Sequence, residues 1–259
     1  MASSSVRQRD ILSIARSSGS VSVQELARRF DVTPQTIRND LNELSRDGAL
    51  NRFHGGALPA SGITNVGYEA RRQLSADPKR RIGEVASTLI PSGASVFINI
   101  GTTTEAVAVA LCGHEQLMVI TNNINVAYIM RGHERLEVVV SGGVLRHSDG
   151  ALVGEHAVDF INQFRADFAI IGASGIDEDG YLLDYDYREV KVAKSIIQAA
   201  RTTILVADHT KFERTAPVKI AHISSIHHLV TDENPPEAIR ALCTQGGIAL
   251  HLPPETISG

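Results

Sequence analysis

The chain has 259 residues, of which 43% are hydrophobic and 21% charged. That is too long for a disulfide-held miniprotein and ample for one large core or two domains. The formal charge is −4, a balance that, taken over the whole chain, argues against a nucleic-acid binder. Cys112 and Cys243 stand far apart and in no paired motif, which argues against a disulfide framework or a thiolate zinc centre. Met1 to Asp10 is polar, and no run approaches the ~18 apolar residues of a membrane span. The expectation is a cytoplasmic chain with no secretory signal and no membrane partner.

Charge is unevenly spread. Residues 1–59 hold eight arginines, no lysine and six acidic residues, a charge of +2, whereas the rest holds 17 basic and 23 acidic residues, −6. In chain order, the first 50 residues read as three short helices. Val6 to Ser17 places Ile11, Ile14 and Ala15 on one face and stops at Gly19. Ser22 precedes Glu25 at the capping-box spacing, and Val23, Leu26, Ala27 and Phe30 follow with the period of an amphipathic helix. Thr33 can cap a third helix whose first position suits Pro34. Ile37, Leu41 and Leu44 form its apolar stripe, and Gly48 its stop. Leu50 to Leu58 reads as two short strands about a turn.

Two of these helices with a tight turn between them make a helix-turn-helix, and the hairpin after them makes a wing. The outward side of the third helix offers Gln35, Thr36, Arg38, Asn39 and Asn42. Glutamine and asparagine pair with adenine and arginine with guanine or phosphate, so this row suits the major groove of DNA. Thr33 and Thr36 are placed for phosphate contact, Arg52 and His54 for backbone or minor-groove contact from the wing, and Ser22 is a further DNA-binding candidate. Residues 1–58 are therefore expected to be a DNA-binding domain.

Residues 59–80, punctuated by Pro59, Gly62, Gly67 and Pro78, read as a linker with a short helix near Tyr68 to Leu74. Its end is basic, with Lys79, Arg80 and Arg81. From 81 to 259 helices alternate with short Val/Ile/Leu-rich strands: strands over 95–100, 117–121, 136–141, 167–172, 203–208, 228–231 and 248–252, helices over 82–90, 105–111, 124–131, 156–163, 187–200 and 236–245. That pattern predicts a doubly wound α/β domain, a parallel sheet covered on both faces.

Ligand sites in such sheets lie at the carboxyl ends of the strands. Polar groups gather there in this chain. Gly101, Thr102, Thr103 and Thr104 sit at a strand-to-helix turn, where backbone N–H groups and hydroxyls suit a phosphate. Asn122 and Asn123, Gly142 and Gly143, and Asp208 with Lys211 end other strands. Asp184, Glu189 and Lys191 add carboxylates for hydroxyl groups and a cation for phosphate. The alternative for each is an ordinary capped helix or solvated turn. No histidine pair has metal-ligand spacing; His227 and His228 point opposite ways on a strand. No metal or cofactor is expected.

The runs Arg9-Asp10-Ile11-Leu12, Val32-Thr33-Pro34-Gln35-Thr36-Ile37-Arg38-Asn39-Asp40-Leu41 and Arg52-Phe53-His54-Gly55-Gly56-Ala57 resemble the winged helix of the DeoR family of bacterial transcriptional regulators. Ile98 to Thr103, Thr121 to Asn123, Gly172 to Asp177 and Val206 to Phe212 resemble its sensor domain, so the resemblance spans nearly the whole chain. Asn39 replaces a common arginine of the family, and Asn99 a usual aspartate. The resemblance implies a sensor similar in fold to sugar-phosphate isomerases. It further implies operator double-stranded DNA as one partner and a second copy of the chain, as dimer or tetramer, as another. The implied effector is glycerol 3-phosphate or a similar phosphorylated metabolite, whose binding releases a repressor of glycerol metabolism genes from DNA.

Two other readings stay open: an isomerase-like enzyme with an accessory DNA-binding domain, and a repressor answering to a different phosphorylated sugar. Isomerase relatives carry an Asp-Gly-Ala-Asp type turn where this chain has Ile171-Gly172-Ala173-Ser174. Glu189 is then the one carboxylate left in a plausible position for acid–base work, and the chain is expected not to be an enzyme.

Overall fold

A computed structural model describes residues 6–18, 21–47, 49–53, 55–59, 68–73 and 75–254. The chain forms two compact units, 1–74 and 75–259.

The first unit runs α1 (Val6–Ser18), β1 (Val21–Ser22), α2 (Val23–Phe30), α3 (Pro34–Arg46), β2 (Leu50–Phe53), β3 (Gly56–Pro59) and α4 (Tyr68–Gln73). The expected apolar stripes close one core: Ile11 and Ala15 of α1, Val23 and Leu26 of α2, Ile37, Leu41 and Leu44 of α3, and Leu50 and Ala57 of the hairpin are all buried. The caps act as expected. The Ser22 hydroxyl accepts from the Glu25 N–H at 3.1 Å, and that of Thr33 from the Thr36 N–H at 3.2 Å. Asp31 ends α2 in the left-handed region, at φ 50°. The sequence reading missed β1, which pairs antiparallel with β3 through Val21 opposite Ala57 and makes the wing three-stranded. Two residues are too few for a periodic signal.

The second unit opens with α5 (Ala76–Thr88), followed by β4 (Ser95–Ile98), α6 (Thr102–Leu111), β5 (Met118–Thr121), α7 (Ile124–Met130), β6 (Glu137–Val140), β7 (Val144–Arg146), β8 (Ala151–Val153) and α8 (Glu155–Ile161). Then come β9 (Ala166–Ile171), β10 (Gly175–Ile176), β11 (Tyr181–Asp184), α9 (Tyr187–Ala199), β12 (Ala200–Val206), a 3-10 turn over His209–Glu213, β13 (Val218–His222), β14 (His228–Val230), α10 (Glu237–Gly246) and β15 (Ala249–His251). Seven strands make a parallel sheet in the order β15-β14-β12-β9-β4-β5-β6. Two apolar clusters, one around Phe97, Ile171 and Leu205 and one around Ile98, Val119 and Ile170, pack against it. The chain lays down β4, β5 and β6 outward in one direction, then β9, β12, β14 and β15 in the other. The order therefore reverses between β4 and β9, where a crevice opens at the carboxyl ends.

The expected α/β alternation is present, with three departures. Residues 76–80, expected in the linker, are the first turns of α5. Pro78 stands at its third position, where the N–H has no helical partner to lose. The β7–β8 hairpin and the antiparallel sheet β10-β11-β13 were not anticipated, because their strands are short and interrupted by Gly, Asp and Ser. No helix among the described residues is long and apolar enough to cross a membrane.

Candidate functional site

On α3 the side chains of Gln35, Arg38, Asn39 and Asn42 are exposed and Thr36 is half-buried. They are ordered as a row: Arg38 donates to Gln35 Oε1 at 3.4 Å, and Gln35 Nε2 to Asn39 Oδ1 at 3.2 Å. The hydroxyls of Thr33 and Thr36 lie 2.9 Å apart at the helix start, so backbone and hydroxyl groups converge there as phosphate recognition requires. The hydroxyl oxygen of Ser22 is engaged in capping α2, which makes it part of the frame. Arg52 on β2 is half-buried, and its Nη1 has no hydrogen-bond partner among the described residues. Burial, and then the charge of Arg38, lower its pKa. Two cations are thus close enough to repel, an arrangement that favours an anion. His54 lies outside the described residues.

The orientation of α3 is fixed from α1. Arg7 grips Asp40 through Nε at 2.6 Å and Nη2 at 3.1 Å, and Gln8 donates to Glu43 at 2.6 Å. Asp40 is buried, apart from the exposed row.

In the second unit, the predicted residues sort into frame and site. Gly101 caps α6 with φ +137°, which a side chain rarely adopts. Thr102 is half-buried and Thr103 buried at the helix start. Thr104 is fully buried, and its hydroxyl proton is committed to the carbonyls of Asn99 (2.7 Å) and Gly101 (2.8 Å); it shapes the turn. Asn123 is likewise frame: its amide donates to Glu105 at 3.1 Å and its oxygen caps α7 at Asn125. Gly142 is exposed. At Gly143 a Cβ would come within 2.9 Å of the Val153 carbonyl, so its role is the close approach of β8. Asp184 accepts from the Ser174 hydroxyl at 2.8 Å and from the Tyr185 and Asp186 N–H groups.

Lys191 does not join the buried cluster. It is exposed, with its ammonium 3.9 Å from Glu155. The reason is helical geometry: two residues after the inward-facing Glu189, it is turned by about 200°.

Two chemically distinct groupings remain at the sheet edge. The first surrounds Asp208, which is buried and caps the 3-10 turn through the Thr210 N–H and hydroxyl. Burial pushes its carboxyl up, but Lys211, Lys79, the Thr210 hydrogen bond and Arg214 outweigh that and hold it below the ordinary value. Three cations thus act on this carboxylate, and lysine and arginine are the side chains that also pair with phosphate. The second surrounds Glu189, fully buried on α9. Asn122 Nδ2 reaches its Oε2 at 3.4 Å and the Leu152 carbonyl at 3.2 Å. Nearby Arg146 is held by Asp149 at 2.8 Å and Asp186 at 2.9 Å. Burial raises the Glu189 pKa well above its ordinary value; Arg146 opposes the shift, Asp184 and Asp149 add to it, and the Asn122 hydrogen bond opposes it.

His209, Asp232 and Glu233 form a third group whose ligand atoms lie within 4.8 Å of one another. Asp232 accepts both the backbone and the ring N–H of His209 at 2.7 Å. Burial disfavours the imidazolium, but Asp232 outweighs it and the His209 pKa is raised. The group is sufficiently described as an ion pair that anchors the 3-10 turn to the end of β14.

Comparison with known proteins places both units. Residues 7–61 match the DeoR-like helix-turn-helix domain, and residues 74–233 the DeoR C-terminal sensor domain. The chain belongs to the DeoR family. It is 47% identical over 241 residues to the glycerol-3-phosphate regulon repressor of Haemophilus influenzae, covering 93% of this chain and 94% of that one. It is 43% identical to the protein of the same name in Escherichia coli, over 95% and 98%. To the E. coli HTH-type transcriptional repressor CsqR it is 39% identical, over 96% and 95%. Among solved structures, ribose 5-phosphate isomerase A of Methanocaldococcus jannaschii aligns with 53% of this chain and 54% of its own, at 14% identity and a TM-score of 0.40.

In this DeoR-family chain the sequence reading did not single out Lys79, Arg214 or Arg146, which the structure brings into these groupings. Asp208, Lys211 and Arg214 recur every third residue, the repeat of a 3-10 turn, so that signal was present. Lys79 was hidden by its assignment to the linker. Arg146 has a local partner in Asp149, three residues on, but its link to Asp186 and the α9 cluster comes from a distant segment.

Proposed function

We propose that this chain is a DNA-binding repressor of glycerol 3-phosphate metabolism genes that leaves operator DNA when glycerol 3-phosphate occupies the second unit. The observation that carries the reading is end-to-end similarity, over 93–98% of each chain, to two proteins named glycerol-3-phosphate regulon repressor. The geometry supports it at both ends. The ordered row on α3 with the Arg38–Arg52 pair suits the major groove and its phosphates. The cations around Asp208, with the Gly101 turn and the start of α6, suit a phosphate monoester. The chain works as a regulator and not as an enzyme: Ile171 and Ser174 stand at the turn where isomerase chemistry would need acids, and a lone Glu189 is no acid–base pair. Recognition helices act in pairs on half-sites, so a second copy of the chain is the expected partner.

The test is a gel-shift titration with DNA upstream of the host's glycerol 3-phosphate genes, with and without glycerol 3-phosphate. The ligand is expected to weaken binding; unchanged affinity at saturating ligand would overturn the inducer assignment. Inorganic phosphate and hexose phosphates in parallel lanes separate effector identity from a general anion effect.

A further inference from the structure

Three buried polar atoms have no hydrogen-bond partner among the described residues and gather at the same end of the sheet: Asn122 Oδ1, Glu189 Oε1 and Ser141 Oγ. Their residues are 0%, 2% and 3% exposed. Asn122 and Ser141 each stand one residue beyond paired strands, and the Ser141 N–H donates to the Thr121 carbonyl. They are therefore in-register neighbours at the ends of adjacent strands, and Asn122 touches Glu189 at 3.4 Å. Buried polar groups are almost always satisfied, so three orphans side by side describe a surface built to hydrogen-bond something.

The charge around them says what that something is. Arg146 is neutralised by Asp149 and Asp186, and Arg188 also pairs with Asp186 at 2.8 Å. Asp184 is turned toward Ser174, and Glu105 is buried against Asn123 and Asn125. The cations here are answered by at least as many carboxylates. Burial disfavours the charged form of Glu189, so the carboxyl adds polarity to this end at less cost in negative charge.

We propose that Asn122, Glu189 and Ser141 form a hydroxyl-recognition subsite that reads the neutral polyol end of a phosphorylated effector and excludes a second anionic group from that end. The inference rests on the effector reading above and narrows it to monophosphates of uncharged polyols.

Calorimetric titration of the full chain with three ligands tests it: glycerol 3-phosphate, propyl phosphate, which lacks both hydroxyls, and 3-phosphoglycerate, which carries a carboxylate at the far end. A site built to bond a hydroxyl discriminates steeply against an analogue without it, so both analogues are expected to bind at least about 100-fold more weakly. Glu189→Leu should reduce glycerol 3-phosphate to the level of propyl phosphate and leave propyl phosphate unchanged. Ser141→Ala, a milder change that guards against misfolding, should move affinity in the same selective way. Wild-type binding of either analogue within a few-fold of glycerol 3-phosphate, or equal losses for all ligands in both variants, overturns the subsite. Binding of no phosphate ester at all is a different result: it overturns the effector reading itself and the subsite with it.

Discussion

At Arg38 one guanidinium does two things. It organises Gln35, and it presses its charge on Arg52. Arg38→Ala is expected to weaken operator binding by about 1–3 kcal/mol if the side chain reads a base, and to reduce the salt slope by about one if it meets only phosphate. Anisotropy titrations at several salt concentrations separate the two, and no change at any salt would remove Arg38 from the interface. Glu189 gives a second residue-level expectation. Its folded pKa stands above the ordinary 4.5, so the native chain keeps a proton that the unfolded chain releases. Stability contributed by that proton is present at low pH and is lost as pH rises from about 4.5 through the folded pKa. Glu189→Gln should flatten that part of the melting-temperature profile. A profile that keeps the wild-type slope would mean that Glu189 is ionised in the native state.

At the scale of elements, the 3-10 turn after β12 carries the cationic grouping, and it is held by backbone packing as much as by charge. A Cβ at Gly175 would stand 2.2 Å from the Arg214 carbonyl oxygen. Gly175→Ala must therefore push the end of that turn away, taking Arg214 and the placement of Lys211 with it. Overpacking of this kind costs about 1–3 kcal/mol. The expected result is a lower melting temperature together with weaker binding of glycerol 3-phosphate; a stable variant that binds normally would show that the turn yields without moving the cations. This scale also marks what the sequence could tell. Helices with a periodic stripe, such as the Ile37-Leu41-Leu44 face of α3, were legible from that period, and strands such as Val96-Phe97-Ile98 from an unbroken apolar run buried on both faces. β10, β11 and β13 were not, since β10 is only two residues long and β11 completes its sheet with the distant β13. Candidate site residues followed the same division: Gly101 and Asp208 are signalled by their own turns, whereas the Arg146 cluster exists only once the 146–149 turn is brought to residues 186 and 189. Lys79 was missed because Pro78 reads as a break when taken alone and as an ordinary first-turn residue once α5 is seen.

Over the whole molecule, the split of charge into a +2 head and a −6 remainder assigns the two jobs to different parts and makes them interdependent. A head with so small an excess of cations neutralises few phosphates by itself, and added salt weakens its hold further. Under the proposal that copies of the chain pair, two heads on one DNA would bind more tightly, because the second head docks at high effective concentration once the first is bound. Effector release follows if glycerol 3-phosphate prefers the arrangement that does not bind DNA, and thermodynamic linkage makes that preference mutual. If saturating glycerol 3-phosphate weakens operator binding by a given factor, typically about 5–150-fold, saturating operator must weaken glycerol 3-phosphate binding by the same factor. Calorimetry of the ligand into the free chain and into the chain–operator complex measures the second factor, and DNA titrations with and without ligand measure the first. Equal factors are expected. A ligand affinity indifferent to DNA, alongside DNA release in the gel shift, would mean that release does not pass through the second unit, and the cations around Asp208 would lose their place in the mechanism.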